Sequence, residues 1–177
     1  MEKINIFYKL GKDAKVPEKK HWDDAGFDLF AASNPKIIGE QTSTGLWRRI
    51  DYIEYETNLG IEPMDKPIPL QFELRPRSSI SKYNLALRNT PSTVDNGYRG
   101  NILVRFAYII QPEDIVVMQS QMGVGGVSVL INMDRIYQYG DKICQLVPDY
   151  VRDVKWIEVE ELTPSERGEG GFGSTGK

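Results

Sequence analysis

Five stretches of the sequence carry residue types that can do chemistry together. The first is Asn89-Thr-Pro-Ser-Thr-Val-Asp-Asn-Gly-Tyr-Arg-Gly100, which puts the Asp95 carboxylate three residues before the Tyr98 ring. An aspartate with an ordinary pKa of about 3.9 is ionised at neutral pH and can take a proton. Asn, Pro and Gly mark tight turns, so the stretch predicts a hairpin with Asp95 and Tyr98 near its tip. Its backbone could read the edge of a base as a neighbouring strand would. The second stretch is Arg75-Pro76-Arg77-Ser78-Ser79-Ile80-Ser81-Lys82. A guanidinium followed by hydroxyls where a helix starts is a phosphate-binding arrangement, because the free N–H groups there favour anions. The third is the C-terminal run Arg167-Gly-Glu-Gly-Gly-Phe-Gly-Ser-Thr-Gly-Lys177, five of whose eleven residues are glycine. Bare amides, Arg167, Ser174, Thr175 and the Phe172 ring suit an anionic ligand with a flat base. The last two are Ala25-Gly-Phe-Asp28-Leu29, with one carboxylate beside apolar residues, and Gly140-Asp-Lys-Ile-Cys-Gln145-Leu146, with one polar group entering an apolar strand.

Each stretch has a plainer reading when taken alone. Asp95 is then a turn carboxylate, Ser78 and Ser79 a helix cap, Asp28 a structural acid and the glycine run a loose terminus. The C-terminal run matches G-x-G-x-x-G through Gly168, Gly170 and Gly173, but the chain ends four residues later, where a helix should follow. It also falls short of a P-loop, because Ser174 holds the place of the required lysine.

The elements that must position these groups read as strands. Apolar and polar residues alternate over Ile4–Leu10 and Arg49–Tyr55, and Leu70–Leu74, Ile102–Ile110, Ile115–Met118, Val127–Asn132, Lys142–Val147 and Val154–Val159 look similar in their apolar, branched or aromatic residues. Gly, Pro, Asn and Asp separate them. One short helix is predicted after Pro76, within Ser78–Asn84. Many short strands with so little helix predict an all-β sandwich or barrel. The division expected is one domain over 1–166 and a mobile glycine-rich arm over 167–177.

Composition narrows the function classes. A net charge of −3 lacks the basic excess of a nucleic-acid footprint. The N-terminus has no signal-peptide pattern, and no stretch approaches the roughly 20 apolar residues of a membrane span. Cys144 is the one cysteine, which excludes an internal disulfide and fits a reducing cytoplasm. One cysteine and one histidine, His21, make no metal site or dyad; His21 is read as a loop residue and Cys144 as core.

Taken in order from Ala25 to Gly176, the five stretches resemble the five motifs of the trimeric dUTPase (deoxyuridine 5′-triphosphate nucleotidohydrolase) family. The resemblance implies a jelly-roll homotrimer whose sites each draw on all three subunits, and Mg2+-dependent cleavage of dUTP to dUMP and pyrophosphate, which limits uracil in DNA. It implies Asp95 as the group that deprotonates the attacking water. Asn89, Thr93, Val94, Gly97 and Tyr98 would hold uracil and deoxyribose, with Phe172 stacking on the base. Arg77, Ser78, Ser79, Gln145, Arg167, Gly173, Ser174 and Thr175 would hold the phosphates. Asp28 would reach magnesium through water, the ion being carried mainly by the phosphates.

Two features depart from that family's pattern. Ser92 stands where glycine is usual. The connection over 111–139 is long, holds Gly123, Gly125 and Gly126, and predicts an extra hairpin of a kind found in some phage members. Its plain role is surface decoration; its sharper one is docking a protein partner. Two rival functions are set against hydrolysis. A dCTP deaminase would need a glutamate on the strand after Asp95, where Arg105 stands, and arginine cannot be that base. A regulatory binding module would not need Asp95 to be catalytic.

Overall fold

Alternating burial along β6 (Leu70–Arg75) shows how the sheets are built: Leu70, Phe72 and Leu74 face inward while Gln71, Glu73 and Arg75 face outward. The computed structural model describes residues 3–64, 69–120, 123–166 and 168. Around β6 lie β1 (Ile6–Leu10), β2 (Phe27–Phe30), β3 (Lys36–Gln41), β4 (Trp47–Glu56) and β5 (Leu59–Pro63). After it come β7 (Leu85–Leu87), β8 (Ser92–Val94), β9 (Leu103–Tyr108), β10 (Ile115–Ser120), β11 (Gly123–Val129) and β12 (Lys142–Tyr150). The chain is all-β, as its punctuated short strands predict.

Among the described residues the strands form three antiparallel sheets. One runs β2-β12-β6-β8, a larger one runs β10-β11-β4-β9-β7 with β3 beside β4, and β1 pairs with β5. Leu29, Phe72 and Ile143 from the first, Ile53, Tyr55 and Phe106 from the second and Leu59 and Ile61 from the third join one core cluster. Burying each such side chain contributes roughly 1.5–3 kcal/mol. The Tyr55 and Phe106 rings meet edge to face at 5.7 Å, and the Tyr55 hydroxyl donates to the Tyr137 carbonyl at 2.8 Å. A buried tyrosine hydroxyl needs such an acceptor.

Several sequence expectations are corrected. Val154–Val159 is not a strand: it has no regular structure, is exposed throughout and has no partner strand among the described residues, and Trp156 is 91% exposed. The short helix is a single 3-10 turn over Ser78–Lys82. The strand expected at Ile102–Ile110 closes to Leu103–Tyr108, and the one expected at Val127–Asn132 begins earlier, at Gly123, and ends at Val129. Within 111–139, β10 and β11 pair as a hairpin. Asp114 ties its base, accepting from the Tyr108 hydroxyl and the Gln111 amide, both at 2.8 Å.

Candidate active site

The first three-strand row of the site is set by register. Gln145 on β12 stands opposite Asp28 on β2 and Arg75 on β6. Pro76 ends β6, because proline and its preceding residue resist further regular pairing, and the chain turns through Arg77 into the 3-10 turn. Arg77 reaches back across the sheet. Its Nε–H donates to Asp28 Oδ1 at 2.9 Å, and its Nη1 donates to Ser79 Oγ and the Lys142 carbonyl, both at 3.3 Å. Lys142 Nζ lies 3.0 Å from Asp28 Oδ2 and 2.7 Å from Glu18. Asp28 is only 8% exposed, and its charge is balanced by these two cations. Contact with Glu18 first, then Asp28, holds the Lys142 ammonium above its ordinary pKa. Arg77, Ser79, Asp28 and Gln145 therefore share one corner of the molecule, with Ser78 exposed at its rim.

The serines are not spent on capping. Arg77 occupies the N-cap and makes no side-chain cap bond. A single 3-10 turn has too few aligned peptides for a strong dipole, so any anion here would be held by Arg77 and hydroxyls rather than by the helix end that the sequence suggests.

The second part of the site is a cleft of about 320 Å³ lined by Asn89, Thr93, Val94, Asp95 and Tyr98 among others. Gly97 sits in the turn and does not line it. The stretch from Asn89 to Gly100 is not the predicted paired hairpin. Its first arm, β8, pairs with β6, while the strand that follows, β9, belongs to the other sheet. The tight turn itself is present: the Tyr98 amide donates to the Asp95 carbonyl at 3.0 Å. The Tyr98 hydroxyl donates to the Asn101 carbonyl at 2.9 Å, which folds its ring over Gly100. Asn89 takes the left-handed φ of 52°, which asparagine tolerates, whereas Ser92 lies in β8 with no positive φ and does not need glycine's freedom. Among the described residues the exposed Asp95 carboxylate has no hydrogen-bond partner. β6 connects the two parts, since Leu74 lines the cleft, opposite Ser92, and Arg77 follows three residues later.

Sequence reasoning missed Lys142 and Glu18 at the corner, and Arg88 in the cleft wall, where Arg105 also stands. Lys142 could have been found beside Gln145 in its motif; Glu18 reaches Asp28 through an isolated backbone bridge that leaves no mark in the sequence. Arg105 lies 2.8 Å from buried Glu54, its cross-strand neighbour on β4, and 4.6 Å above the Tyr52 ring. The nearby glutamate is thus bound in an ion pair. Arg167, Phe172, Gly173, Ser174 and Thr175 lie outside the described residues.

No protein-family model matches the chain. Curated relatives do. The deoxyuridine 5′-triphosphate nucleotidohydrolase of Clostridium acetobutylicum is 34% identical over 178 residues, covering 98% of this chain and 97% of the relative. That of Clostridioides difficile is 31% identical over 172 residues, covering 95% and 94%. Among solved structures, Staphylococcus bacteriophage 80alpha dUTPase with dUPNHPP is 25% identical, with a TM-score of 0.69 over 98% of this chain and 99% of that one. A mutant dUTPase from phage phi11 of S. aureus, in which a structural Mg(II) ion is coordinated, shares the fold at 24% identity and a TM-score of 0.58, over 89% and 97% of the two chains. Near-complete coverage of relatives above 30% identity, on this fold, establishes that the chain belongs to the dUTPase family.

Proposed function

We propose that the chain hydrolyses dUTP to dUMP and pyrophosphate, with Asp95 as the general base for the attacking water. The observation that carries this reading is the closed Asp95–Tyr98 turn at a cleft of about 320 Å³, where a carboxylate without a partner among the described residues stands beside a tyrosine ring. Asn89, Thr93, Val94 and the turn backbone would hold uracil, and Tyr98 the deoxyribose. A rigid backbone at the base would turn away a 5-methyl group by clash, which discriminates better than a roomy apolar pocket worth only about 1–3 kcal/mol. Arg77, Ser78, Ser79 and Gln145 would take the phosphates. Arg167, Phe172, Gly173, Ser174 and Thr175 would close over the ligand and exclude water. Phosphoryl cleavage depends mostly on positioning and on neutralising charge, and the Arg77–Asp28–Lys142 corner supports that role.

Magnesium fits this site as an ion carried by the triphosphate, where it would neutralise phosphate charge. Both Asp28 oxygens are engaged, one by Arg77 and one by Lys142, so Asp28 would meet the ion only through water. Among the described residues no group of three acids, histidines or cysteines forms a cage. A homotrimer with shared sites is part of the proposal. It is supported by Val154–Val159, whose exposed apolar side chains find no strand in their own chain among the described residues. No helix of the described residues is long and apolar enough to cross a membrane; a cytoplasmic location, the host's if a phage encodes the enzyme, is part of the proposal and is supported by the nucleotide substrate. A protein partner at the β10–β11 hairpin is supported by Val117 and Val127, which face each other and are exposed; deleting 121–132 should then abolish capture of that partner but not the trimer.

The test is pyrophosphate release with Mg2+ from dUTP, dTTP, dCTP and UTP offered separately. Release from dUTP alone is expected, and Asp95→Asn should lose about 100-fold or more in kcat while still binding a non-hydrolysable analogue. No release from dUTP would sink the reading. Ammonia released from dCTP would point to the deaminase instead.

A further inference from the structure

Tyr137 lies between the 3-10 turn Met133–Arg135 and Gly140, just before β12. It is 1% exposed. Its ring packs 4.2 Å from Tyr83 and 5.5 Å from Phe106, and its carbonyl takes the Tyr55 hydroxyl. A phenylalanine would make the same ring contacts. The hydroxyl is therefore surplus to packing, and it has no hydrogen-bond partner among the described residues. A buried polar group left in that state costs roughly 1–3 kcal/mol. Ser79 is the polar side chain that acts on it first, followed by Tyr83, Arg77 and Cys144 at longer range. Ser79 is close enough to influence it, yet stands outside hydrogen-bonding geometry. Tyr83, against which the Tyr137 ring packs, is the C-cap of the 3-10 turn that carries Ser79, so the buried hydroxyl belongs to the core beneath that turn.

We propose that Tyr137 is a positioning residue for the phosphate chain: its O–H donates to Ser79 Oγ and so directs the Ser79 O–H at a phosphate oxygen. This deepens the reading of Arg77 and Ser79 as phosphate ligands and rests on it. Ser79 Oγ accepts from Arg77 Nη1 at a long 3.3 Å. A phosphate draws the guanidinium toward itself, and Ser79 Oγ loses that donor. The Tyr137 O–H replaces it. Each hydroxyl in such a chain polarises the next, so a serine that accepts from tyrosine donates more strongly to the anion. The tyrosine never touches substrate and needs no change of protonation. Its rigid ring fixes where Ser79 can point.

The test is a double-mutant cycle on the full chain with Tyr137→Phe, Ser79→Ala and the pair. Titration calorimetry would read binding of a non-hydrolysable imido analogue of dUTP and of dUMP. Thermal unfolding would be followed alongside. Tyr137→Phe should weaken the triphosphate analogue about five- to tenfold, the scale of one hydrogen bond to a charged group. It should leave dUMP within about twofold, on the same arithmetic, and leave the unfolding temperature equal or higher. In the Ser79→Ala background it should change nothing further. Unchanged analogue affinity, an equal loss for dUMP, independent effects in the double variant or a lowered unfolding temperature would each overturn the proposal. Wild-type protein that releases no pyrophosphate from dUTP would instead sink the reaction assigned above. The same cycle would then be read on inorganic tripolyphosphate, where coupling between Tyr137 and Ser79 upholds the positioning role and its absence overturns it.

Discussion

Arg77 Nε lies 2.9 Å from Asp28 Oδ1, so the guanidinium proposed to meet the triphosphate is held from behind by a buried carboxylate that Lys142 shares. Removing that carboxylate strands two cations. Breaking a fully buried pair costs roughly 3–5 kcal/mol. The Arg77 and Lys142 side chains keep 27% and 33% of their exposure, so water recovers part of that loss. Asp28→Ala is expected to cost about 2 kcal/mol, below that range because of the remaining exposure, seen as a lower urea midpoint with an unchanged m-value. KM for dUTP should rise as well, because Arg77 loses its anchor. A midpoint equal to wild type would show that the corner is held by other means.

Gly100 is where Tyr98 rests. A methyl group there would stand 2.5 Å from the Tyr98 hydroxyl and 2.6 Å from the ring carbon that bears it. The tyrosine must swing away, and its bond to the Asn101 carbonyl breaks. Both residues are exposed, so stability should change by only about 0.5 kcal/mol. Gly100→Ala should therefore raise KM for dUTP far more than it lowers the unfolding temperature. A variant with normal KM would mean that Tyr98 does not bind the sugar from this position.

Alkaline pH should loosen the fold through buried acids. Burial pushes the Tyr137 hydroxyl from 10.0 up to about 12, pushes Tyr55 up further, and raises the Cys144 thiol from 9.0. These groups keep their protons when folded and lose them when unfolded. Stability is then intact below 9.0 and falls as pH rises, first through Cys144 and, across the window from 10.0 to about 12, through Tyr137 as well. Tyr137→Phe should flatten that fall by about 1.4 kcal/mol per pH unit, one proton's share. Urea unfolding at a series of alkaline pH values gives the slope, and identical slopes for the two proteins would contradict the burial argument.

What the sequence made legible follows from what leaves a periodic mark. The alternation of Leu70, Phe72 and Leu74 marks β6 because burial there has period two. Val154–Val159 is rich in branched and aromatic residues and no strand forms among the described residues, since a strand also needs a partner edge that composition cannot supply. The glycine-rich start of β11 was missed for the opposite reason: pairing with β10 overrides low strand propensity. At the site, Asp95, Tyr98 and Arg77 were legible as residue types in order. Their context was not, because the arms around Asp95 join different sheets and Glu18 meets Asp28 through backbone. Such pairings are tertiary facts with no local signature.

The β10–β11 hairpin hangs on Asp114, and that gives a way to loosen it without touching the cleft. Asp114 is buried, and one of its oxygens, Oδ2, takes both the Tyr108 hydroxyl and the Gln111 amide. The Tyr108 hydroxyl in turn accepts the Asn132 amide at 3.0 Å, and the Leu130 amide donates to the Asp114 carbonyl at 2.8 Å. One carboxylate thus ties the entry to β10, the end of β9 and the exit from β11. Asp114→Ala removes two acceptor bonds and leaves the Gln111 amide to find water, for a cost of about 2 kcal/mol. Because neither Asp114 nor Tyr108 lines the cleft, the loss should be local. Amide exchange should quicken across 115–129 while β6 and β12 keep their protection, and dUTP turnover should stay within about twofold of wild type. Uniformly faster exchange, or turnover lost together with hairpin protection, would show that the hairpin and the cleft are energetically one unit.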